Sequence, residues 1–132
     1  MTLVERATSC VVGWAVGLDC GQDRWQAILD TAPSATLYYS DACPTYLALV
    51  YAPAIHVALP NKSQTYRVEG VNAELRHYLA RLARRSRCFS RHLNALTQAI
   101  KLFVYAWNRR QLYRQAHPNY PAHVRQFIYP PP

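Results

Sequence analysis

Two carboxylates sit where chemistry gives a reason to keep them. Asp41 closes Tyr38-Tyr39-Ser40-Asp41, which has the form of a strand ending in an acid. Glu69 lies in Tyr66-Arg67-Val68-Glu69-Gly70-Val71-Asn72-Ala73-Glu74-Leu75-Arg76, where a helix is expected to open in a stretch crowded with arginine. A lone acid in so basic a region is a costly place for negative charge unless a cation or a metal uses it. One acid ending a strand and another opening a basic helix fit metal-dependent phosphodiester chemistry. Asn72 and Arg76 follow Glu69 by three and seven residues. At about 100° per residue, Arg76 falls almost in line with Glu69, and Asn72 borders the apolar stripe. Each acid also has a plain structural role, Asp41 as an N-cap and Glu69 as a partner of the helix dipole. Neither decides the matter alone; the two together with Asn72 and Arg76 form a constellation.

The elements that must position these groups read as a mixed α/β chain. Strands are predicted over about residues 9–17, 35–40 and 54–59, where β-branched and aromatic residues gather between breakers. Helices are predicted over 22–31, with Trp25, Ile28 and Leu29 at helical spacing, and over 44–50, opened by Pro44 with Tyr46, Leu47 and Val50 on one side. In the third strand Ile55 and Val57 share a face. A third helix over 66–85 carries Val68, Val71, Leu75, Leu79 and Leu82. A fourth, over 90–116, buries Leu93, Leu96, Ile100, Phe103 and Trp107, with Ser90 as its candidate N-cap. His117-Pro118 ends it, and residues 118–132 form a proline- and aromatic-rich tail without periodicity.

The chain of 132 residues has room for one domain, and half of it is apolar. Its net charge of +8 is uneven. Residues 1–60 carry Arg6 and Arg24 against five acids, a balance of −3; residues 61–132 carry two lysines and eleven arginines against Glu69 and Glu74, a balance of +11. That asymmetry points the second half toward a polyanion, most simply nucleic acid; a solvated basic surface is the plain alternative. Cys10, Cys20, Cys43 and Cys88 have no C-x-x-C spacing and no histidine at zinc-ligand spacing, so reduced thiols in a cytoplasmic protein are expected. The apolar run from Cys10 to Leu18 is too short to cross a bilayer. His77 and His92 are expected at exposed helix positions, while Lys62 and Arg67 flank Glu69 and either touch phosphate or lie in solvent.

Several segments together resemble the catalytic half of bacterial insertion-sequence transposases of the "IS one" type. They are Tyr39-Ser40-Asp41-Ala42-Cys43-Pro44-Thr45-Tyr46, the Glu69 segment, and His77 through Ser90. Val11 through Gly17 and Phe103 through Arg110 extend the likeness to roughly residues 5–117. The resemblance implies a ribonuclease-H-like domain in which Asp, Asp and Glu hold two Mg²⁺ or Mn²⁺ ions for cleavage and transfer of DNA strands. Asp41 matches the second acid and Glu69 the third. Asn72 and Arg76 match polar positions on the same helix, and Arg76 would contact DNA near the scissile phosphate. Arg81, Arg84, Arg85, Arg87 and Arg91 are the candidate phosphate-binding cations. The twenty-seven residues between Asp41 and Glu69 slightly exceed the usual spacing, so the intervening loop is expected to be longer.

The front of the chain departs from the pattern. The first Asp and the strand that bears it would precede everything here, and Met1 to Arg6 supply only the end of a second strand. The amino-terminal zinc-binding and helix-turn-helix segments are also missing from the match. Glu5 would lie at the wrong strand end and Asp19 follows an edge strand, so neither replaces the missing acid. The expectation is therefore an incomplete ribonuclease-H-like fold over residues 1–117 with unpaired strand edges and a tendency to self-associate. Metal binding is expected to be weak or absent.

Functionally the chain is expected to be a partial DNA transposase. Its partners are insertion-sequence ends and target DNA, a segment encoded upstream is a possible complement, and no membrane is involved. Its place is the bacterial cytoplasm, at the nucleoid. The alternatives are a non-catalytic basic DNA-binding module or regulatory remnant of an insertion element, and a helical hairpin that docks on protein through Tyr105, Trp107 and Tyr113.

Overall fold

The computed structural model describes residues 1–17, 21–61, 63–79, 82 and 92–118. Its elements run β1 (Thr2–Val4), β2 (Val11–Trp14), α1 (Gln22–Thr31), β3 (Leu37–Asp41), α2 (Pro44–Leu47), β4 (Ile55–Leu59), α3 (Tyr66–Tyr78) and α4 (Leu93–Ala116). The strands form two separate pairs: β1 with β2 antiparallel, and β3 with β4 parallel. The architecture is thus mixed α/β, as the order of apolar runs predicts.

The first pair is a hairpin whose turn is held by backbone bonds and by one side-chain hydroxyl. Glu5 N–H donates to the Cys10 carbonyl at 2.9 Å, Ser9 N–H to the Glu5 carbonyl at 2.9 Å, and Cys10 N–H to Thr8 Oγ1 at 3.1 Å. Ser9 sits at φ 61°, a left-handed conformation uncommon for a residue with a Cβ. It is gripped on both sides, since Trp107 Nε1 donates to its carbonyl at 2.8 Å and Arg67 Nη1 to its Oγ at 2.6 Å. Surrounding contacts of this kind are what hold a residue in a sparsely populated conformation.

Register in the hairpin pairs Leu3 with Gly13 but Val4 with Val11, which leaves Val12 as an extra residue. A strand alternates faces, so the extra residue reverses the parity on either side of it. Val11, 4% exposed, therefore joins the core with Val71, Ile100 and Val104 from α3 and α4. Gly13 turns to α1 instead. A Cβ built there would stand 2.9 Å from Ile28 Cγ2 and 2.9 Å from Leu3 Cδ1, so only glycine lets the helix approach this closely.

Helix α4 is fixed to β2 by one side chain. Asn108 Nδ2 donates to the Val11 carbonyl at 2.7 Å, and Asn108 Oδ1 accepts from the Val11 N–H at 2.7 Å. A carboxamide thus replaces a neighbouring strand on the outer edge of β2. Gln26 of α1 repeats the device, donating to the Val50 carbonyl at 3.0 Å and accepting from the Val50 N–H at 2.9 Å. Together with the bond from Gln22 Nε2 to the Ala48 carbonyl at 2.6 Å, this ties α1 to the loop leading into β4.

The second pair carries a polar cluster. The Ser40 hydroxyl donates to the Asp41 carbonyl at 2.7 Å, so His56 Nε2, 2.8 Å from the same oxygen, must be the donor there. The His56 ring stacks on Tyr51 with centroids 4.0 Å apart. Burial, assisted by the neighbouring phenols of Tyr46 and Tyr38, pushes the Tyr51 hydroxyl up to about 12, and burial lowers the His56 imidazole from its ordinary 6.5.

Several boundaries differ from the sequence expectation. A strand forms at Thr2–Val4, where only a strand's end is anticipated, because its three residues close against β2. α2 stops at Leu47 rather than residue 50, since its one turn has no buried side chain; Leu47 and Val50 are exposed and Leu49 goes inside instead. Ile55, 65% exposed, faces solvent. α3 ends at Tyr78 with Leu79 as its C-cap; of the expected extension to residue 85 only Leu79 and Leu82 lie among the described residues, and both pack on the core. α4 opens at Leu93 behind His92, Leu93 being exposed, and the candidate cap Ser90 lies outside the described residues. The proline-rich tail from residue 119 onward lies outside them too. No helix among the described residues is long and apolar enough to cross a membrane.

Two outcomes test this account. Asn108→Leu strands both backbone groups of a buried residue and is expected to cost about 2–4 kcal/mol, read from the denaturant midpoint; an unchanged midpoint would show that the carboxamide holds nothing. His56 supplies the second. Its folded pKa lies below the unfolded value, so the unfolded chain takes up a proton the folded chain resists. Its contribution is complete above about pH 6.5 and is lost as pH falls through the lowered folded value. His56→Gln, which still offers a donor to Ser40, is expected to flatten the fall of Tm between about pH 7 and 5.

Candidate active site

Asp41 is the last residue of β3 and Glu69 stands in the first turn of α3. The fold brings them to one cavity of about 280 Å³ between β1, β3 and α3, which Asn72, Thr2, Ser40 and Tyr51 also line. Both carboxylates belong to exposed residues at the cavity mouth, where solvent and a polyanion have access.

Each acid keeps part of its plain structural role. Asp41 Oδ1 accepts the Cys43 N–H at 3.3 Å, a local turn rather than a helix cap, since the N-cap of α2 is Cys43. The carbonyl of Asp41 takes the Ser40 hydroxyl, so backbone and side chain at this strand end are both held. Glu69 complements the positive end of α3, while Arg76 and His77 sit in its last turn, where cations are favoured.

Asn72 has a defined partner. Its Oδ1 accepts from Thr2 Oγ1 at 2.9 Å, which joins α3 to β1 across 70 residues of chain. Asn72 also lines the cavity. Arg76 is exposed and does not line the cavity, one helical turn beyond Asn72. Arg67 belongs to the Ser9 turn, donating from Nη1 to Ser9 Oγ and from Nε to the Tyr66 hydroxyl at 3.2 Å. Its guanidinium is half-buried and also lines the neighbouring cavity of about 410 Å³. Arg81, Arg84, Arg85, Arg87 and Arg91, with Lys62, lie outside the described residues. His77 and His92 are exposed, as expected.

Sequence reasoning assigned no role to four neighbours. His56, Tyr51 and Ser40 form a polar stack beneath Asp41, and Arg6 lies 4.7 Å from the Tyr39 ring centroid. The strand pairing that sets Tyr38 beside His56 and Tyr39 beside Val57 has no local signal; it depends on which strands meet. Tyr46, which lines the cavity, packs edge to face on Trp25 with ring centroids 5.1 Å apart.

The donor set is of the right kind for a hard divalent cation but small. Among the described residues no group of three His, Cys, Asp or Glu side chains converges. Two carboxylates suit the way Mg²⁺ binds, through one or two acids completed by water and substrate phosphate, better than a closed all-protein cage.

Comparison with known proteins agrees with the resemblance carried by these segments. A search of curated proteins and a search of solved structures find no match. The family model described as IS1 transposase matches residues 4–111, which include Asp41, Glu69, Asn72, Arg76 and the whole arginine-rich segment. That family of DDE transposases acts on DNA and uses divalent metal ions in general. With most of its length inside the match, the chain belongs to the IS1 transposase family.

Proposed function

We infer that this chain serves metal-dependent DNA strand cleavage and transfer in transposition. The observation that carries this reading is the meeting of Asp41 and Glu69 at one open cavity, from two elements far apart in sequence, inside a transposase match. Asp41 and Glu69 would hold the divalent ion, Mg²⁺ or Mn²⁺, with phosphate oxygens of DNA completing its shell. Bound there, such an ion polarises a phosphoryl oxygen and lowers the pKa of attacking water. Asn72 keeps the Glu69 helix against β1 and offers its amide N–H to a phosphate. Arg76, a turn farther on, extends that contact along the backbone. Arg81, Arg84, Arg85, Arg87 and Arg91 supply the charge that draws in the ends of the element and its target DNA. Residues 1–117 act as one ribonuclease-H-like unit, with 118–132 as a tail, and a further acid comes from outside the described residues.

A second reading is favoured by one observation, that only two acids meet at the cavity among the described residues. A basic module that binds DNA without cutting it would need the arginines and not the pair of acids.

Nicking of supercoiled plasmid in Mn²⁺ or Mg²⁺ separates the two. Residual nicking by the full chain is expected to fall about 100-fold or more in Asp41→Asn and in Glu69→Gln. Nicking that either variant retains would remove the metal role from that residue, and binding without any nicking would favour the non-catalytic module. Duplex binding is expected to be steeply salt-dependent in both readings. Four engaged phosphates give a log–log slope of about −3.6, or roughly a 150-fold loss between 50 and 200 mM salt. Arg84→Gln combined with Arg85→Gln is expected to lower that slope by about 1.8. Affinity flat with salt would remove the arginine segment from DNA contact.

A further inference from the structure

Helix α4 has two apolar faces. One meets the core, where Leu96, Ile100, Phe103, Val104 and Trp107 recur at helical spacing. On the other side Gln98, Leu102, Tyr105, Arg109, Leu112 and Ala116 are all exposed, Leu102 at 69%, Tyr105 at 62% and Leu112 at 53%. These six follow one another at steps of 4, 3, 4, 3 and 4 residues, the alternation of a coiled-coil seam. At about 100° per residue the seam lies roughly opposite the core face. An ordinary surface helix is polar there. This one shows three large apolar side chains in a row, the kind of patch that marks an interaction site.

The spacing of the seam reads the same in both directions, and the side chains suit each other across its midpoint. Leu102 and Leu112, Tyr105 and Arg109, and Gln98 and Ala116 are three pairs, each centred on position 107. A second copy turned end for end about that position sets leucine against leucine and a phenol ring against a guanidinium, in both halves at once. The ring and the guanidinium are cation–π partners. Within one copy Arg109 Nη1 donates to the Tyr105 hydroxyl at 3.2 Å, so the two side chains meet on this face. A parallel pair would instead stack Arg109 on Arg109 and set the helix dipoles side by side. α4 holds no acid to offset that charge. Arg110 and Arg114 stand off the seam, and of the remaining cations only Lys101 flanks it.

We propose that α4 is the pairing helix of this chain, two copies joining antiparallel through the exposed seam about an axis beside position 107. The contact is isologous, each copy giving the same patch. The occupant is a second copy because the seam complements itself. An acidic helix of another protein would neutralise Arg109 and Lys101, yet it would leave the mirrored spacing without a use. Three large apolar side chains per copy make a small interface, so the dimer is weak and concentration-dependent. No residue of α4 lines the cavity that holds Asp41 and Glu69, and the pairing stands or falls apart from the phosphodiester reading.

The test is sedimentation equilibrium of the full chain, freed of nucleic acid. The chain is expected to pass from monomer toward dimer between about 1 and 100 μM. Leu102→Glu and Leu112→Lys each alter two layers of the dimer by symmetry, and each is expected to weaken it at least about ten-fold. Both positions are exposed, so helicity and the melting point of the dilute chain should match the parent; Leu102→Ala, which favours the helix, guards against misfolding and should weaken the dimer as well. Mixing the Leu102→Glu and Leu112→Lys chains is expected to restore a dimer. The new acid of one copy then meets the new base of the other, while leucine meets leucine in the second layer. A chain that stays monomeric to about 100 μM would overturn the proposal. So would a dimer that either substitution leaves intact, which would place the contact elsewhere, as on the strand edges. Weakening in both variants with no recovery on mixing would overturn the antiparallel register.

Discussion

A strand edge or a loop exposes donors and acceptors that must find partners, and this chain satisfies one strand edge and one loop with side-chain amides. The carboxamide of Asn108 meets both backbone groups of Val11, and that of Gln26 meets both groups of Val50. A carboxamide carries a donor and an acceptor in one plane, the pattern a neighbouring peptide unit presents. The positions of α4 and α1 follow from these two contacts. α4 is drawn onto the outer edge of β2, so Ile100 and Val104 meet Val11 and Val71. α1 is drawn toward the second sheet, while Gly13 lets Ile28 close on the first.

The result is a molecule with two small sheets and helices that bridge them, in place of one continuous sheet. No side chain among the described residues is wholly removed from solvent, and the main core cluster has four buried members. Apolar burial at this scale gives each contact a large share of the total stability. That makes the Ser9 turn informative. A left-handed serine held by Trp107 from α4 and Arg67 from α3 shows that helices and hairpin are locked at the turn as well as through the core.

Legibility in the sequence follows the range of the interactions involved. The stripes Val71, Leu75, Leu79 and Leu96, Ile100, Phe103, Trp107 are local repeats, and they pack as their spacing predicts. Strands β3 and β4 are visible as β-branched and aromatic runs between breakers. β1 is only three residues long, too short for periodicity, and exists because β2 is there to pair with it. The ends of α2 and α4 are set by what each turn finds to bury, and Leu47 and Leu93 find nothing. At the site, Asp41 and Glu69 are legible by type and position. The Ser40–His56–Tyr51 stack and the Thr2–Asn72 bond are not, because each joins residues brought together by strand pairing or by helix–strand packing.

The spacing of the two acids is the point where fold and chemistry meet. Asp41 ends β3, which belongs to the second sheet. Glu69 rides on α3, which Asn72 ties to Thr2 on the first. No strand hydrogen bond joins those sheets among the described residues, so the distance between the carboxylates is set across the gap between β1 and β3. A divalent ion requires its ligands within a few tenths of an ångström of fixed distances, near 2.1 Å for Mg²⁺. Acids carried on separate sheets would hold that geometry less firmly than acids on one sheet, and ordering them would cost part of any binding energy.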